Sequence, residues 1–356
     1  MVFRFLAAAG VCAVLGAQAP SRADGLYAEM RTSKGLIVAR LEFELTPLTV
    51  SNFVGLAEGT IENAAFDNGR PFYDGSIYHR VVPGHVIQTG VPQSNRAKNP
   101  GYQFPNEIHA RLSHNHAGAL NMANGGPNTN AAQFCITLGD RSYLDGDYTV
   151  FGEVVQGLDV VMRIVQGDVL ESVRIVRVGA KAEAFHPTTE SFRAMLREAG
   201  DRVKMHAEKK STAEREWIAQ HYPKAVDAGN GVMTQVIAEG HEGAAARVRY
   251  RGTELRYVGN VIGRDGPAIE AISFASGDGG VPGPFDPPHT FEPKKINPGL
   301  DGVLAKMRAG ERTIVIVPAA QGYGRAGFYP PEIPGKKRFV ISPYTLLVYD
   351  VEAEGN

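Results

Sequence analysis

Hydrophobic and polar positions follow three different rhythms along the chain. From Leu26 to about Gly179 the rhythm is that of strands. Leu36-Ile37-Val38-Ala39-Arg40-Leu41-Glu42-Phe43 is rich in β-branched and aromatic residues, and Ser33-Lys34-Gly35 before it supplies a turn, so a hairpin is predicted. A helix is expected next, with Thr46 as N-cap and Pro47 at the first helical position; Val50, Phe53, Val54, Leu56 and Ala57 form its inward stripe, and Gly59 ends it. Residues 60–73 have no period and read as a loop. From about Ala180 to Tyr222 the composition turns charged and the period helical. Phe192, Met195, Leu196, Ala199 and Val203 share a packing face, and Ser211 with Glu214 fits the capping box of a further helix that carries Trp217 and Ile218 and stops at Pro223. From about Gly231 to Glu352 strand-like runs return, interrupted by Gly- and Pro-rich stretches at 277–288 and around 330–343 that read as enlarged loops.

The 356 residues are enough for two or more domains, each burying its own core. The rhythm divides them into 1–23, 24–180, 181–222 and 223–356. The first piece has the form of a secretory signal peptide: Arg4, then an apolar run from Phe5 to Leu15, then small residues ending in Ser21-Arg22-Ala23. That run is too short to cross a bilayer, and cleavage is expected after Ala23. The mature chain is therefore expected outside the cytoplasm, in a bacterial periplasm. It keeps Cys135 as its only cysteine, so no intramolecular disulfide is available. A net charge of −1 offers no basic footprint for nucleic acid and no polybasic membrane patch, and no other apolar run is long enough to span a membrane.

Three blocks stand in order within the first strand-rich region. They are Tyr78-His79-Arg80-Val81-Val82-Pro83-Gly84, then Met122-Ala123-Asn124-Gly125-Gly126-Pro127-Asn128-Thr129-Asn130-Ala131-Ala132-Gln133-Phe134, then Tyr143-Leu144-Asp145-Gly146. Together they resemble the cyclophilin-type peptidyl-prolyl cis-trans isomerases. The resemblance implies a closed antiparallel β-barrel with capping helices and assigns the catalytic role to Arg80. It places His85, Val86, Gln88, Ala123, Asn124, Gly125, Gln133, Phe134, Cys135, Tyr143, Leu144 and Tyr148 around an extended peptide. Gln88 and Gln133 would orient backbone groups or Arg80, Asn124 would pair with the substrate main chain, and Ala123 and Gly125 would let that chain come close.

Departures from the family pattern fall on the pocket walls. His85 and Val86 stand where Phe and Met are usual, Cys135 where a second Phe is usual, and Tyr143 and Tyr148 replace a Trp and a His at the rim. His85 reads equally as a residue in water at the pocket mouth. His109, His114 and His116 lack a tight metal-ligand spacing and have no acidic or Cys partner directly beside them, so no metal is assigned. Cys135 reads as a small core hydrophobe.

The third region resembles an FKBP-type domain. The likeness rests on Gly231 to Ile237, Val248 to Gly252, Pro298-Gly299-Leu300, Met307 to Arg312, Gly322-Tyr323-Gly324 and Leu347 to Glu352. It implies an α+β fold with an antiparallel sheet wrapped on a short helix, and a pocket formed by Tyr250, Glu270, Ile296, Leu300, Tyr323 and Tyr349. Leu300 takes the place of an aromatic floor, Glu270 that of an Asp, and Asn297 that of an apolar residue, which makes this domain a poor catalyst or a binding module.

Both resemblances imply the same reaction. Rotation about an X-Pro bond breaks amide resonance against a barrier of roughly 18–20 kcal/mol. An enzyme needs only to bind the twisted bond better than the planar forms, with an apolar pocket for the ring and a donor for the prolyl nitrogen. No cofactor is called for. The expected function is folding assistance to exported proteins, acting on unfolded or extended proline-containing polypeptides. The alternative is a non-catalytic peptide-binding chaperone or scaffold that retains both folds.

Overall fold

The computed structural model describes residues 22–92, 99–242, 247–258, 269–273, 289–290, 297–324 and 344–354. The run expected to be a signal peptide, both stretches expected to be enlarged loops, and Ile296 lie outside the described residues.

The chain begins with the expected hairpin, β1 (Gly25–Thr32) and β2 (Gly35–Leu41), then α1 (Pro47–Glu58). Short strands follow: β3 (Ser76–Ile77), β4 (Arg80–Val82), β5 (Val86–Thr89), β6 (Ala119–Met122) and β7 (Phe134–Thr137). β8 (Val150–Gln156), α2 (Leu158–Arg163) and β9 (Val169–Val178) complete the first region. Its sheet has nine strands in the order β3-β9-β1-β2-β8-β6-β7-β5-β4. The sheet curls, but the barrel is not closed by a strand ladder among the described residues. Its ends approach through one bridge, Ser76 to Pro92, and through Thr89 Oγ1 donating to Ile77 O at 2.9 Å. Among the described residues the expected barrel is a curled half-barrel that is closed in part by these contacts.

α1 is buried on every side, with no exposed residue from Leu48 to Ala57, because it lies between β9 and the long helix that follows. Its polar residues find internal partners: Asn52 Nδ2 donates to Ala131 O at 2.8 Å, and Tyr102 Oη donates to Asn52 Oδ1 at 2.9 Å. Thr46 is the N-cap residue as expected, but its hydroxyl donates back to Glu42 O at 3.1 Å and caps nothing. The carboxylate of Glu107 accepts instead from Leu48 N at 3.1 Å and from Thr49 N and Thr49 Oγ1 at 2.6 Å. Gly59 ends the helix in the left-handed conformation, φ 72°.

After α3 (Ala180–Glu183), one helix, α4 (Thr189–His221), runs through the whole charged stretch. The capping box expected at Ser211 and Glu214 does not exist. Ser211 accepts from Arg215, Glu214 lies 3.6 Å from Lys210, and both sit inside the helix. The real box is Thr188 with Ser191. Nothing between them forces a break, since Gly200 costs only about 1 kcal/mol and both ends of α4 are anchored. Phe192 and Ala199 belong to the first core; Ile218, with Trp217 against it, belongs to the second. Buried Lys210 also donates to Tyr344 O.

The second region comprises β10 (Val226–Gly229), β11 (Val232–Ala238), β12 (Arg247–Val258), β13 (Ile269–Ser273), β14 (His289–Thr290), α5 (Pro298–Leu304), β15 (Arg312–Val317) and β16 (Leu346–Glu354). Its strands form one antiparallel sheet, ordered β10-β11-β15-β16-β12-β13 with β14 on β12. Alternation along β15 and β16 divides the sheet between two helices. Val315, Val317, Leu347, Tyr349 and Val351 pack with Leu300 and Leu304 of α5, while Ile314, Ile316, Leu346 and Val348 pack with Ile218 of α4.

Candidate active site

Register places the central residues. Arg80 on β4 stands opposite Gln88 on β5, Gln88 opposite Cys135 on β7, and Cys135 opposite Asn121 on β6. Directly paired residues project to the same face, so these four form one row across four strands. Gln88 Nε2 donates to Gln133 Oε1 at 2.8 Å, which ties the row to the loop before β7. Arg80 and Gln88 are half-buried. Val86, two residues from Gln88, shares their face and is 2% exposed.

Cys135 is 7% exposed, and burial pushes its thiol up to about 12 against the pull of the Arg80 charge. The thiol is neutral at ordinary pH. Phe134 lies elsewhere. Alternation turns it to the inside, where it is fully buried with its ring 5.4 Å from Phe53 and 5.6 Å from Tyr73. The expected role of Phe134 at the peptide is corrected to one in the core.

The loop around the 3-10 turn Ser142–Leu144 is held by polar anchors from several parts of the chain. Asp145 accepts from Ser113 Oγ at 2.6 Å and His114 N at 2.8 Å, and its Oδ1 lies 2.6 Å from His114 Nδ1. Asp147 O accepts from both Asn106 Nδ2 and Asn124 Nδ2 at 3.0 Å. Asn124, expected to pair with a substrate main chain, thus holds the loop through its side-chain amide. Leu144 is 8% exposed, and Tyr148 sits edge-on to His114 with centroids 6.5 Å apart. His85 Nε2 lies 2.6 Å from Tyr143 Oη, so His85 is bonded to the loop and not simply in water.

Ala123 N donates to Gln133 O at 2.9 Å and Gly125 N to Thr129 Oγ1 at 2.9 Å. A Cβ on Gly125 would meet only Thr129 Oγ1, at 3.8 Å, so the surface beside it is open to an approaching chain.

The three histidines are engaged separately. His114 has the acidic partner that its sequence neighbours did not offer; burial lowers its pKa, with Asp145 opposing. His116 Nδ1 lies 2.8 Å from Asn115 Oδ1, and His109 Nδ1 accepts from Arg111 N at 3.2 Å. Residues the sequence reading missed are Asn121, Asn106, Asp145 and Asp147. Asn121 left a signal, a polar residue inside the apolar strand Ala119-Leu120-Asn121-Met122; the loop anchors left none, because their partners are far away in sequence.

In the second region the nominated residues divide. Leu300 and Tyr349 are fully buried in the core, and half-buried Tyr323 packs against it. Asn297 Nδ2 donates to Tyr349 Oη at 2.9 Å and its Oδ1 accepts from Leu300 N at 3.0 Å. Burial raises the pKa of the Tyr323 phenol, with a hydrogen bond to Asn297 opposing. Tyr250 is placed by its backbone alone, opposite Val351, and Glu270 opposite Tyr257. A cleft of about 280 Å³ lies on the other flank of α5, lined by Val232, Thr234, Gly302, Val303 and Lys306 among others; none of the nominated residues lines it.

The family described as cyclophilin type peptidyl-prolyl cis-trans isomerase matches residues 27–180. A peptidyl-prolyl cis-trans isomerase A of Mycobacterium tuberculosis is 43% identical over 132 residues, 36% of this chain and 72% of that protein. The chain belongs to the cyclophilin-type isomerases. A Schizosaccharomyces pombe isomerase is 44% identical over 139 residues, 38% of this chain and 83% of its own length. One from Helicobacter pylori is 36% identical over 149 residues, 41% of this chain and 85% of its own. The FKBP-type peptidyl-prolyl isomerase family matches residues 270–353. This match begins after β11 and β12, although both strands share one sheet with β15 and β16. One cyclophilin-type isomerase thus carries two folds associated with prolyl isomerisation.

Proposed function

We propose that Arg80 is the catalytic residue and that prolyl isomerisation takes place on the face it shares with Gln88 and Cys135. The observation that carries this is the row itself: a half-buried guanidinium on a strand, with the Gln88–Gln133 pair beside it and the Ser142–Leu144 turn tied to the same hairpin through His85 and Tyr143. A donor aimed at the prolyl nitrogen stabilises the twisted amide as that nitrogen turns pyramidal. A charge-assisted hydrogen bond made only in that state contributes about 1.5–3 kcal/mol, or one to two decades of rate. Arg80 stands here as that donor, and the Cys135, Val86 and Leu144 surfaces as the apolar seat.

The substrates are extended proline-containing polypeptides, and the setting is the periplasm, where the chain assists exported proteins to fold. The second region acts as a binding module with little turnover, because Leu300 and Tyr349 are committed to its core. A non-catalytic reading of the whole chain is favoured by one feature, the polar His85–Tyr143 contact in place of an apolar wall. The test is isomerisation of a prolyl tetrapeptide by residues 24–356. Arg80→Ala is expected to lower kcat/KM at least about tenfold with peptide affinity little changed. An unchanged rate in a folded Arg80→Ala protein overturns the assignment.

A further inference from the structure

His85 and Tyr143 look like two independent losses when the sequence is compared with its family. The structure joins them by a contact of 2.6 Å between imidazole and phenol. Each partner rests on a backbone held in place. His85 follows the turn at Gly84, φ 68°; its N donates to Val82 O at 2.9 Å and its O accepts from Leu138 N at 2.8 Å. Tyr143 sits in the 3-10 turn, where Leu144 N donates to Arg141 O at 2.8 Å and Arg141 N to His114 O at 2.7 Å. The contact therefore spans from the tip of the β4–β5 hairpin to the loop that carries Leu144 and Tyr148.

We propose that His85 and Tyr143 act as one unit, a hydrogen-bonded bar that fixes the loop against the hairpin and sets the width of the opening offered to a proline ring. The pair determines specificity and positioning and takes no part in the chemical step, which remains with Arg80. This inference rests on the Arg80 reading. Its physical content is non-additivity. Removing one partner takes this contact from the other and loosens the tie between loop and hairpin, whereas removing both replaces a polar contact by an apolar one. Groups that act as a pair show an interaction energy in a double-mutant cycle, and groups that act separately do not.

The experiment is a cycle in the full mature chain: wild type, His85→Phe, Tyr143→Phe and the double variant, each read by kcat and KM on a prolyl tetrapeptide. Each single change is expected to raise KM by about fivefold or more, and the double change by clearly less than the product, with kcat within about twofold throughout. His85→Gln, whose amide can stand where the imidazole nitrogen does, is expected to bring KM back to within about twofold of wild type. Additive effects, a change confined to kcat, or a Gln variant as impaired as the Phe variant each overturn the bar. Tetrapeptide affinity measured by calorimetry on the same proteins gives the same cycle without turnover. A chain with no Arg80-dependent rate but a non-additive binding cycle would therefore refute the catalytic reading and keep this one.

Discussion

Each of the two folded regions starts a helix at a proline step, Thr46-Pro47 for α1 and Asn297-Pro298 for α5, and they satisfy the exposed amides in opposite ways. In α5 the cap is local: Asn297 Oδ1 takes Leu300 N, and the same side chain donates to Tyr349 Oη. In α1 the cap is remote: Glu107, 59 residues beyond Leu48, takes Leu48 N and Thr49 N. The remote cap draws in residues 104–107, and the adjoining Asn106 donates to Asp147 O, so the first helix, the Asn-rich segment and the site loop are joined. The local cap consumes, inside a core, the polar groups expected to border a pocket. The same proline signature thus serves a site in one region and packing in the other. The proposal that turnover belongs mainly to the first region rests on this contrast.

The largest effect expected from this contrast is at Leu300. As a core residue with no exposed surface, Leu300→Ala should destabilise the second region by about 2–5 kcal/mol. Trp217, the chain's single tryptophan, packs against that region's core and reports its urea transition by fluorescence. Prolyl turnover should remain that of wild type under native conditions. Lost turnover with an unmoved Trp217 transition would make Leu300 a ligand-facing residue and break the comparison.

Much of this was legible in the residues. The hairpin and α1 with its Gly59 stop follow from local pattern, and the grouping of Arg80, Gln88 and Gln133 from the family resemblance. What was not legible depends on which face a residue takes and on what meets it from afar. Phe134 and Cys135 are neighbours in the sequence, yet strand alternation sends one into the core and the other to the site. Ser211 and Glu214 satisfy a capping rule, yet tertiary anchoring at Phe192 and Ile218 carries α4 straight through them. Thr46 has the right residue type for a cap, and the carboxylate that does the work is Glu107.

That last pair gives a second, smaller test. Asn297→Ala should cost about 1–2 kcal/mol as a lost cap, with the buried Tyr349 hydroxyl losing a partner in addition. Thr46→Ala removes only a bond to Glu42 O, a carbonyl that also accepts from Leu45 N and Thr46 N, and should cost about 0.5–1.5 kcal/mol. The measurement is chemical denaturation of both variants, with Trp217 following the second region and far-ultraviolet dichroism the whole chain. Equal costs would show that the two helix starts depend on their N-cap side chains alike, and that the Glu107 contact is incidental.

The smallest effect is in pH, and it belongs to the first region alone. Burial holds the Glu107 carboxyl above the ordinary range for a glutamate, outweighing its hydrogen bonds from Thr49 and Leu48 and the nearby charge of Arg202. The folded chain therefore binds this proton more tightly than the unfolded chain does. By linkage, the stabilisation from protonated Glu107 is fully present below the unfolded value of about 4.3 and is lost as pH rises through the higher folded value. Glu107→Gln keeps an acceptor oxygen for Thr49 N and has no proton to lose. The Tm of the variant relative to wild type is thus expected to climb by up to a few degrees as pH rises from 4 through that window, and to stay level beyond it. The Asn297 amide that starts α5 does not titrate, so the Trp217 transition of the second region should show no difference between the two proteins at any of these pH values. A Tm difference that falls as pH rises would mean that the ionised carboxylate at the start of α1 is worth more to the fold than its burial costs, and that a remote charged cap is the stronger of the two ways to begin a helix.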